Sequence, residues 1–104
     1  MSQMLVYITA STREEASAIG RAAVNARLAA CANVLGDITS FYWWDGAVQE
    51  DGEVSLILKT QHSLVERLTQ LVKENHSYDC PCVVAIPIAG GNPDFLDWIV
   101  NETE

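Results

Sequence analysis

The segment Ile38-Thr39-Ser40-Phe41-Tyr42-Trp43-Trp44 constrains this chain more than any other. β-Branched and aromatic side chains dominate it and Asp45-Gly46 follows at once, so it predicts a strand that runs into a tight turn. Alternate residues of a strand point to opposite faces, which sets Ile38, Tyr42 and Trp44 on one side and Phe41 and Trp43 on the other. Both faces are apolar. The next stretch reads as the second arm of a hairpin: Val54, Leu56 and Leu58 alternate with Glu53, Ser55 and Lys59, and Ile57 opposes the buried set. Asp51-Gly52 adds a further turn or bulge signal.

The flanking segments supply the other elements. Leu5-Val6-Tyr7-Ile8-Thr9 is an unalternating apolar run, the pattern of a strand buried on both faces. Ser11 with Glu14, or Thr12 with Glu15, fits a capping box. Ala16, Ile19, Ala23 and Ala26 then form one helical stripe of mostly small side chains, and Gly20 within it costs about 1 kcal/mol relative to Ala. Ser63 is placed to cap a second helix with Leu64, Leu68, Leu71 and Val72 on one face; Asn75, His76 and Ser77 end it. Val83–Ile86 reads as another buried strand, stopped near Pro87. After a Gly90-Gly91 turn, Asn92 and Pro93 suit the start of a short helix carrying Phe95, Leu96, Trp98 and Ile99. Glu102 and Glu104 oppose the dipole at its end, which predicts a frayed terminus. The order β-α-β-β-α-β plus a helix specifies one α+β domain over residues 1–104, with a ferredoxin-like four-stranded antiparallel sheet. Its two long helices cover one sheet face. The other face is apolar too, and 49% of the 104 residues are hydrophobic against 19% charged. A homo-oligomer is the simplest cover.

Charge narrows the partners. Fourteen acidic and 6 basic residues leave a net charge of −8, which disfavours nucleic acid and anionic membrane surfaces and favours cations. No apolar run approaches the ~20 residues of a membrane span, and Met1-Ser2-Gln3-Met4 lacks the basic start of a signal peptide, so a cytoplasmic protein is expected. Cys31, Cys80 and Cys82 are an odd set, better read as reduced thiols than as a disulfide framework. No spacing of Ser, His and Asp singles out a catalytic triad, and the expectation is a non-enzymatic protein.

Cys80 and Cys82 flank Pro81 at the start of a strand, on one side and roughly 6.6 Å apart at ~3.3 Å per residue. That suits a shared soft ion such as Cu(I) or Zn(II) better than a disulfide. His76 adds an imidazole nearby in sequence, and Cys31 joins only through the fold or a neighbouring subunit. These four are the candidate metal ligands. Each has a plainer reading beside it: buried small side chains for the thiols and a helix C-cap for His76. Tyr42, Trp43 and Trp44 read as packing before they read as a stacking platform. Gly90-Gly91-Asn92-Pro93 reads as a turn and cap before it reads as an anion cradle.

Several motifs, in order, resemble the CutA family of divalent-cation tolerance proteins. They are Arg27-Leu28-Ala29-Ala30-Cys31-Ala32-Asn33 closing the first helix, Ser40-Phe41-Tyr42-Trp43-Trp44-Asp45-Gly46, Glu53 with Lys59-Thr60, His76-Ser77-Tyr78-Asp79-Cys80-Pro81, and Phe95-Leu96-Asp97-Trp98. The resemblance implies a ferredoxin-like subunit, a homotrimer, a cytoplasmic location, and a link to copper or other divalent metals. It also implies an architecture similar to PII-type signalling trimers. Ser77 stands where the family usually has Pro, and Cys82 where it commonly has Glu, which exchanges a carboxylate for a thiol. Two further functions fit the same sequence. One is a PII-like sensor holding a small anionic ligand between subunits, with His76, Trp44, Glu53, Lys59 and Tyr78 lining the pocket. The other is an assembly scaffold with no small ligand.

Overall fold

The computed structural model describes residues 2–104. Strand β1 spans Gln3–Ala10, helix α1 Arg13–Asn25, β2 Cys31–Trp44, β3 Ala47–Gln61, α2 Val65–Glu74, β4 Val83–Pro87 and α3 Pro93–Asn101, with a 3₁₀ turn at His62–Leu64. The sheet is fully antiparallel in the order β2-β3-β1-β4. This is the expected α+β architecture with its additional terminal helix.

One face of the sheet holds the core. Val6, Ile8 and Ala10 of β1 and Val54, Leu56 and Leu58 of β3 are buried against Ala16, Ile19 and Ala23 of α1, Leu64 of the 3₁₀ turn, and Leu68 and Val72 of α2. Ala26 ends α1 as its exposed C-cap rather than extending the stripe. Gly20 allows a close crossing: a Cβ there would sit 3.0 Å from the Cβ of Ala32 on β2. Thr12 is the N-cap, its Oγ1 accepting the Glu15 N–H at 3.1 Å, while the Glu15 carboxylate returns to Ser11. The second capping pair is therefore the one used. Ser63 makes no cap, because the chain enters α2 through the 3₁₀ turn with Leu64 at the N-cap position. The C-terminus is tied down instead of frayed. Arg27 pairs with Glu102 at 2.9 Å, Arg67 with Glu104 at 3.3 Å, and Thr103 is buried.

The β2–β3 hairpin is longer than the sequence pattern suggested. Strand β2 begins at Cys31, seven residues before Ile38, and it contains a bulge. Val34 pairs with Leu56 but Gly36 pairs with Ser55, leaving Leu35 as the extra residue. Gly36 takes φ +127°, a backbone state that a side chain would strain. The bulge reverses the alternation. Before it, Ala32 and Val34 share the helix side with Leu58 and Leu56; after it, Ile38, Ser40, Tyr42 and Trp44 lie on the open face. Asp51-Gly52 is neither turn nor bulge but regular ladder opposite Ser40 and Thr39. Asp45 and Gly46, at φ 54° and 75°, close a two-residue turn of the twist a hairpin favours.

The open face bears Leu5, Tyr7 and Ile57, which are half-buried, and Val84 and Ile86, which are 49% and 51% exposed. Within this chain β4 is covered on the helix side only, and β1 alternates buried residues with half-buried Leu5 and Tyr7, so neither strand is buried on both faces as its apolar run implied. At the hairpin end Phe41, Trp43, Trp44 and Val48 are also exposed.

Candidate functional site

A cleft of about 750 Å³ opens on the uncovered sheet face, between the hairpin and the loop leading into β4. The floor is Tyr7 and Thr9 of β1, continued by Ser11. One wall is Ile38, Ser40, Tyr42 and Trp44 of β2 with Asp51, Gly52 and Glu53 of β3. The other is Tyr78, Asp79, Cys80 and Cys82. Among the described residues, three carboxylates and two thiols line it, and no Lys, Arg or His does. The β2 bulge is what delivers Tyr42 and Trp44 to this side.

Two tyrosines anchor the acidic wall. The Tyr78 hydroxyl donates to the Glu53 carboxylate at 2.9 Å, and the Tyr42 hydroxyl donates to Asp51. Partial burial, reinforced by the bond to Glu53, pushes the Tyr78 phenol up. The bond to Asp51 pushes Tyr42 up as well. Both phenols stay protonated donors at neutral pH, and each carboxylate keeps lone pairs for a further partner.

The loop that forms the second wall is held from behind. His76 has a fully buried side chain with both ring nitrogens occupied: Nε2–H donates to the Thr9 carbonyl at 2.8 Å, and Nδ1 accepts the Tyr78 N–H at 3.1 Å. These partners fix the neutral tautomer. The His76 and Tyr78 rings lie 4.6 Å apart. The Glu15 carboxylate, 3.8 Å from His76 Nδ1, accepts the N–H and Oγ–H of Ser11, both at 2.9 Å, and the N–H of Ser77 at 2.7 Å. Partial burial alone would raise its pKa; the hydrogen bonds from Ser11 and Ser77 outweigh it and hold the carboxyl at about 2. The helix C-cap expected of His76 falls to Asn75, whose Nδ2 donates to the Leu71 carbonyl at 2.8 Å.

The predicted ligands divide. Cys80 and Cys82 are in the cleft. His76 stands behind it, engaged on both nitrogens. Cys31 lies on the open face beside Lys59 and Leu5, about four strand residues, or ~13 Å, from the Thr9 level where Cys82 sits. All three cysteines are free thiols, half-buried at position 31 and exposed at 80 and 82. Partial burial, with Glu53 nearby, raises the Cys82 pKa; hydrogen bonding to Thr9 offsets part of this. Within one copy of the chain, among the described residues, no three His, Cys, Asp or Glu side chains converge on a metal position. Of the expected pocket residues, Trp44, Glu53 and Tyr78 line the cleft. Lys59 does not: its Nζ donates to Asn33 at 2.7 Å and lies 5.8 Å from the Phe95 ring centroid. Sequence reasoning missed Asp51 and Asp79 as lining residues and Glu15 as the loop's anchor. The Asp51–Glu53 spacing of two on a strand was the available signal for the first.

The profile of the CutA1 divalent ion tolerance protein family matches residues 4–102. The chain belongs to the CutA1 family. It is 45% identical over 100 residues to Protein CutA 1, chloroplastic, of Oryza sativa subsp. japonica, an alignment covering 96% of this chain and 56% of that one. The chain thus spans about half the length of the plant and mammalian CutA relatives it matches. The solved CutA1 structure from Thermus thermophilus superposes with a TM-score of 0.96 at 42% identity, covering 98% of this chain and 99% of that one. The structure named as the periplasmic divalent cation tolerance protein CutA from Archaeoglobus fulgidus gives 0.94 at 40% identity, with the same coverage of both chains. The overall fold is thus shared with solved CutA structures over nearly the whole chain.

Proposed function

We propose that this CutA1 chain is a binding protein, not an enzyme, that assembles as a homotrimer and takes up divalent or soft metal ions, copper among them, in support of metal tolerance. The carrying observation is the cleft's lining: Asp51, Glu53, Asp79, Cys80 and Cys82 with no basic side chain among the described residues. Carboxylates suit divalent cations and thiolates suit soft ones. The family description and the net charge of −8 point the same way. A second copy of the chain supplies the ligands that one copy leaves short. The uncovered face with Leu5, Tyr7, Val84 and Ile86 gives that copy a surface to bury. Exposed free thiols at positions 80 and 82 suit a reducing, cytoplasmic setting. The anionic-ligand sensor fits less well, because its one pocket cation, Lys59, is engaged with Asn33 and Phe95 away from the cleft.

Calorimetric titration of the reduced full-length protein with Zn(II), and with Cu(I) under anaerobic conditions, tests the reading. Saturable binding weakened in Glu53→Gln and in Cys80→Ser/Cys82→Ser supports it. Binding unchanged in both variants overturns the cleft as the site.

A further inference from the structure

We infer that the Asp45-Gly46 turn at the tip of the β2–β3 hairpin is a site of spontaneous backbone modification, where Asp45 closes onto the Gly46 nitrogen and re-opens as isoaspartate. The site uses none of the residues assigned to metal uptake.

The sequence holds two Asp-Gly pairs, Asp45-Gly46 and Asp51-Gly52, and no Asn-Gly pair. Both glycines are open, since a Cβ on either would meet no atom within 4 Å. The difference lies in the backbone and the carboxylate. Asp51 sits in the ladder opposite Ser40, with Glu50 and Gly52 paired to Phe41 and Thr39 on either side, and its carboxylate accepts the Tyr42 hydroxyl. Asp45 is exposed, at φ 54° in a two-residue turn closed by the Trp44–Ala47 pair. Gln49 Nε2 donates to the Trp44 carbonyl at 3.1 Å and so holds the residue before the turn. Among the described residues, no hydrogen bond engages the Asp45 carboxylate or the Gly46 N–H. The turn is also remote from the proposed contact face: Tyr7 pairs with Ile57, ten residues along β3 from Ala47, or ~33 Å. Its exposure does not depend on that face being free.

Ring closure needs a nitrogen next in the chain, a carboxyl free to swing onto it, and no side chain in the way. The Gly46 nitrogen bonds to Asp45 Cγ, its proton passes to water, and a Cγ–O bond breaks with loss of one water molecule. Water then adds to the cyclic imide. Addition at the side-chain carbonyl restores aspartate. Addition at the main-chain carbonyl routes the chain through Cβ and Cγ and leaves the α-carboxylate as the side group. Nothing is oxidised or reduced, and the final composition is unchanged. The added methylene lengthens the link between Trp44 and Ala47, for which a two-residue turn has no slack, so the hairpin end carrying Tyr42 and Trp44 loosens.

The test is peptide mapping of the reduced full-length protein aged at neutral pH and body temperature, beside the same protein aged in guanidinium chloride. Asp-N protease cuts before aspartate but not before isoaspartate, so a lost cut at position 45 with a retained cut at position 51 locates the change. Enzymatic carboxyl methylation of isoaspartate measures the total. In the folded protein, position 45 is expected to isomerise within about threefold of its unfolded rate, and position 51 at least about tenfold more slowly than when unfolded. Asp45→Asn keeps a favoured turn pair and reaches the same imide by losing ammonia, so it is expected to accumulate isoaspartate faster than wild type. Asp45→Glu keeps the charge but lengthens the side chain past that ring, and is expected to remove the methylated product of the folded protein. Far-UV circular dichroism checks that each variant folds. Isomerisation at position 51 as fast as at position 45 in the folded protein means that the dipeptide and not the turn sets the rate, and overturns the inference. So does a position 45 that stays intact in the folded protein, or an Asp45→Asn variant that forms isoaspartate no faster than wild type.

Discussion

Glu15→Gln isolates the device that holds the cleft's outer loop. The native carboxylate accepts hydrogen bonds from Ser11 and Ser77, and these keep its pKa at about 2 against an ordinary 4.5. At about 1.4 kcal/mol per unit, the full shift is worth roughly 3 kcal/mol. The side chain is 14% exposed at the edge of the molecule, and water screening reduces the value to about 1–2 kcal/mol. The sign follows from a depressed folded-state pKa. The contribution is complete above pH 4.5, declines as the pH falls towards 2, and is gone below that. Urea unfolding of wild type and variant at one fixed protein concentration, repeated from pH 7 down to pH 2, reads it directly; the concentration is fixed because the proposed assembly would make stability concentration-dependent. The variant is expected to be less stable by about 1–2 kcal/mol at pH 7, with the gap closing at the acid end. A gap that stays constant with pH, or none at pH 7, refutes the account of Glu15 as a charged anchor.

Four further outcomes follow from the geometry. Gly20→Ala places a Cβ 3.0 Å from that of Ala32, so the helix-propensity gain of about 1 kcal/mol is expected to be lost to the displaced strand, and Ala32→Gly in the same chain restores stability. Gly36→Ala meets no atom nearer than 3.8 Å, so its cost of about 1–3 kcal/mol in urea unfolding comes from φ +127° alone. In a Cys31→Ser/Cys80→Ser background, Cys82 is expected to react with a disulfide reagent more slowly than in the urea-unfolded chain, with the difference narrowing as the pH rises; equal rates at pH 7.5, the pH chosen for the assay, contradict the raised thiol pKa. If the proposed trimer forms through the open face, Val84→Lys/Ile86→Lys is expected to lower the light-scattering mass from that of three chains to the 11.4 kDa of one, and an unchanged mass contradicts this face as the contact.

What the sequence made legible was whatever had a clean period. The apolar run of β1, the i, i+4, i+7, i+8 face of α2 and the Asn92-Pro93 helix start each reappear in the structure with small shifts at their ends. Strand β2 shows where this stops. In Cys31 to Asp37 only Val34 and Leu35 are large and apolar, between Asn33 and Gly36-Asp37, so the segment shows no strand period of its own; it is a strand because β3 offers a partner. The Gly36 bulge reverses which side chains face the core, and a two-residue period cannot be extrapolated through it. The exposed side of β4 was read as buried because an apolar run does not say whether its second cover belongs to the same chain. At the site, the cleft thiols, Trp44, Glu53 and Tyr78 were named from sequence. The separation of Cys31 from them, and the use of both His76 nitrogens by backbone partners, depend on distances across the sheet that sequence spacing does not encode.

The most direct measurement is elemental analysis of the reduced protein, purified without a metal-binding tag and verified as a trimer by light scattering, for wild type beside a Glu53→Gln/Cys80→Ser/Cys82→Ser variant. Dialysis against limiting copper and zinc should leave the wild-type trimer loaded in fixed proportion to its chains and the variant trimer depleted. A wild-type trimer that retains no metal, or a variant trimer that retains as much as wild type, contradicts the cleft as a metal site.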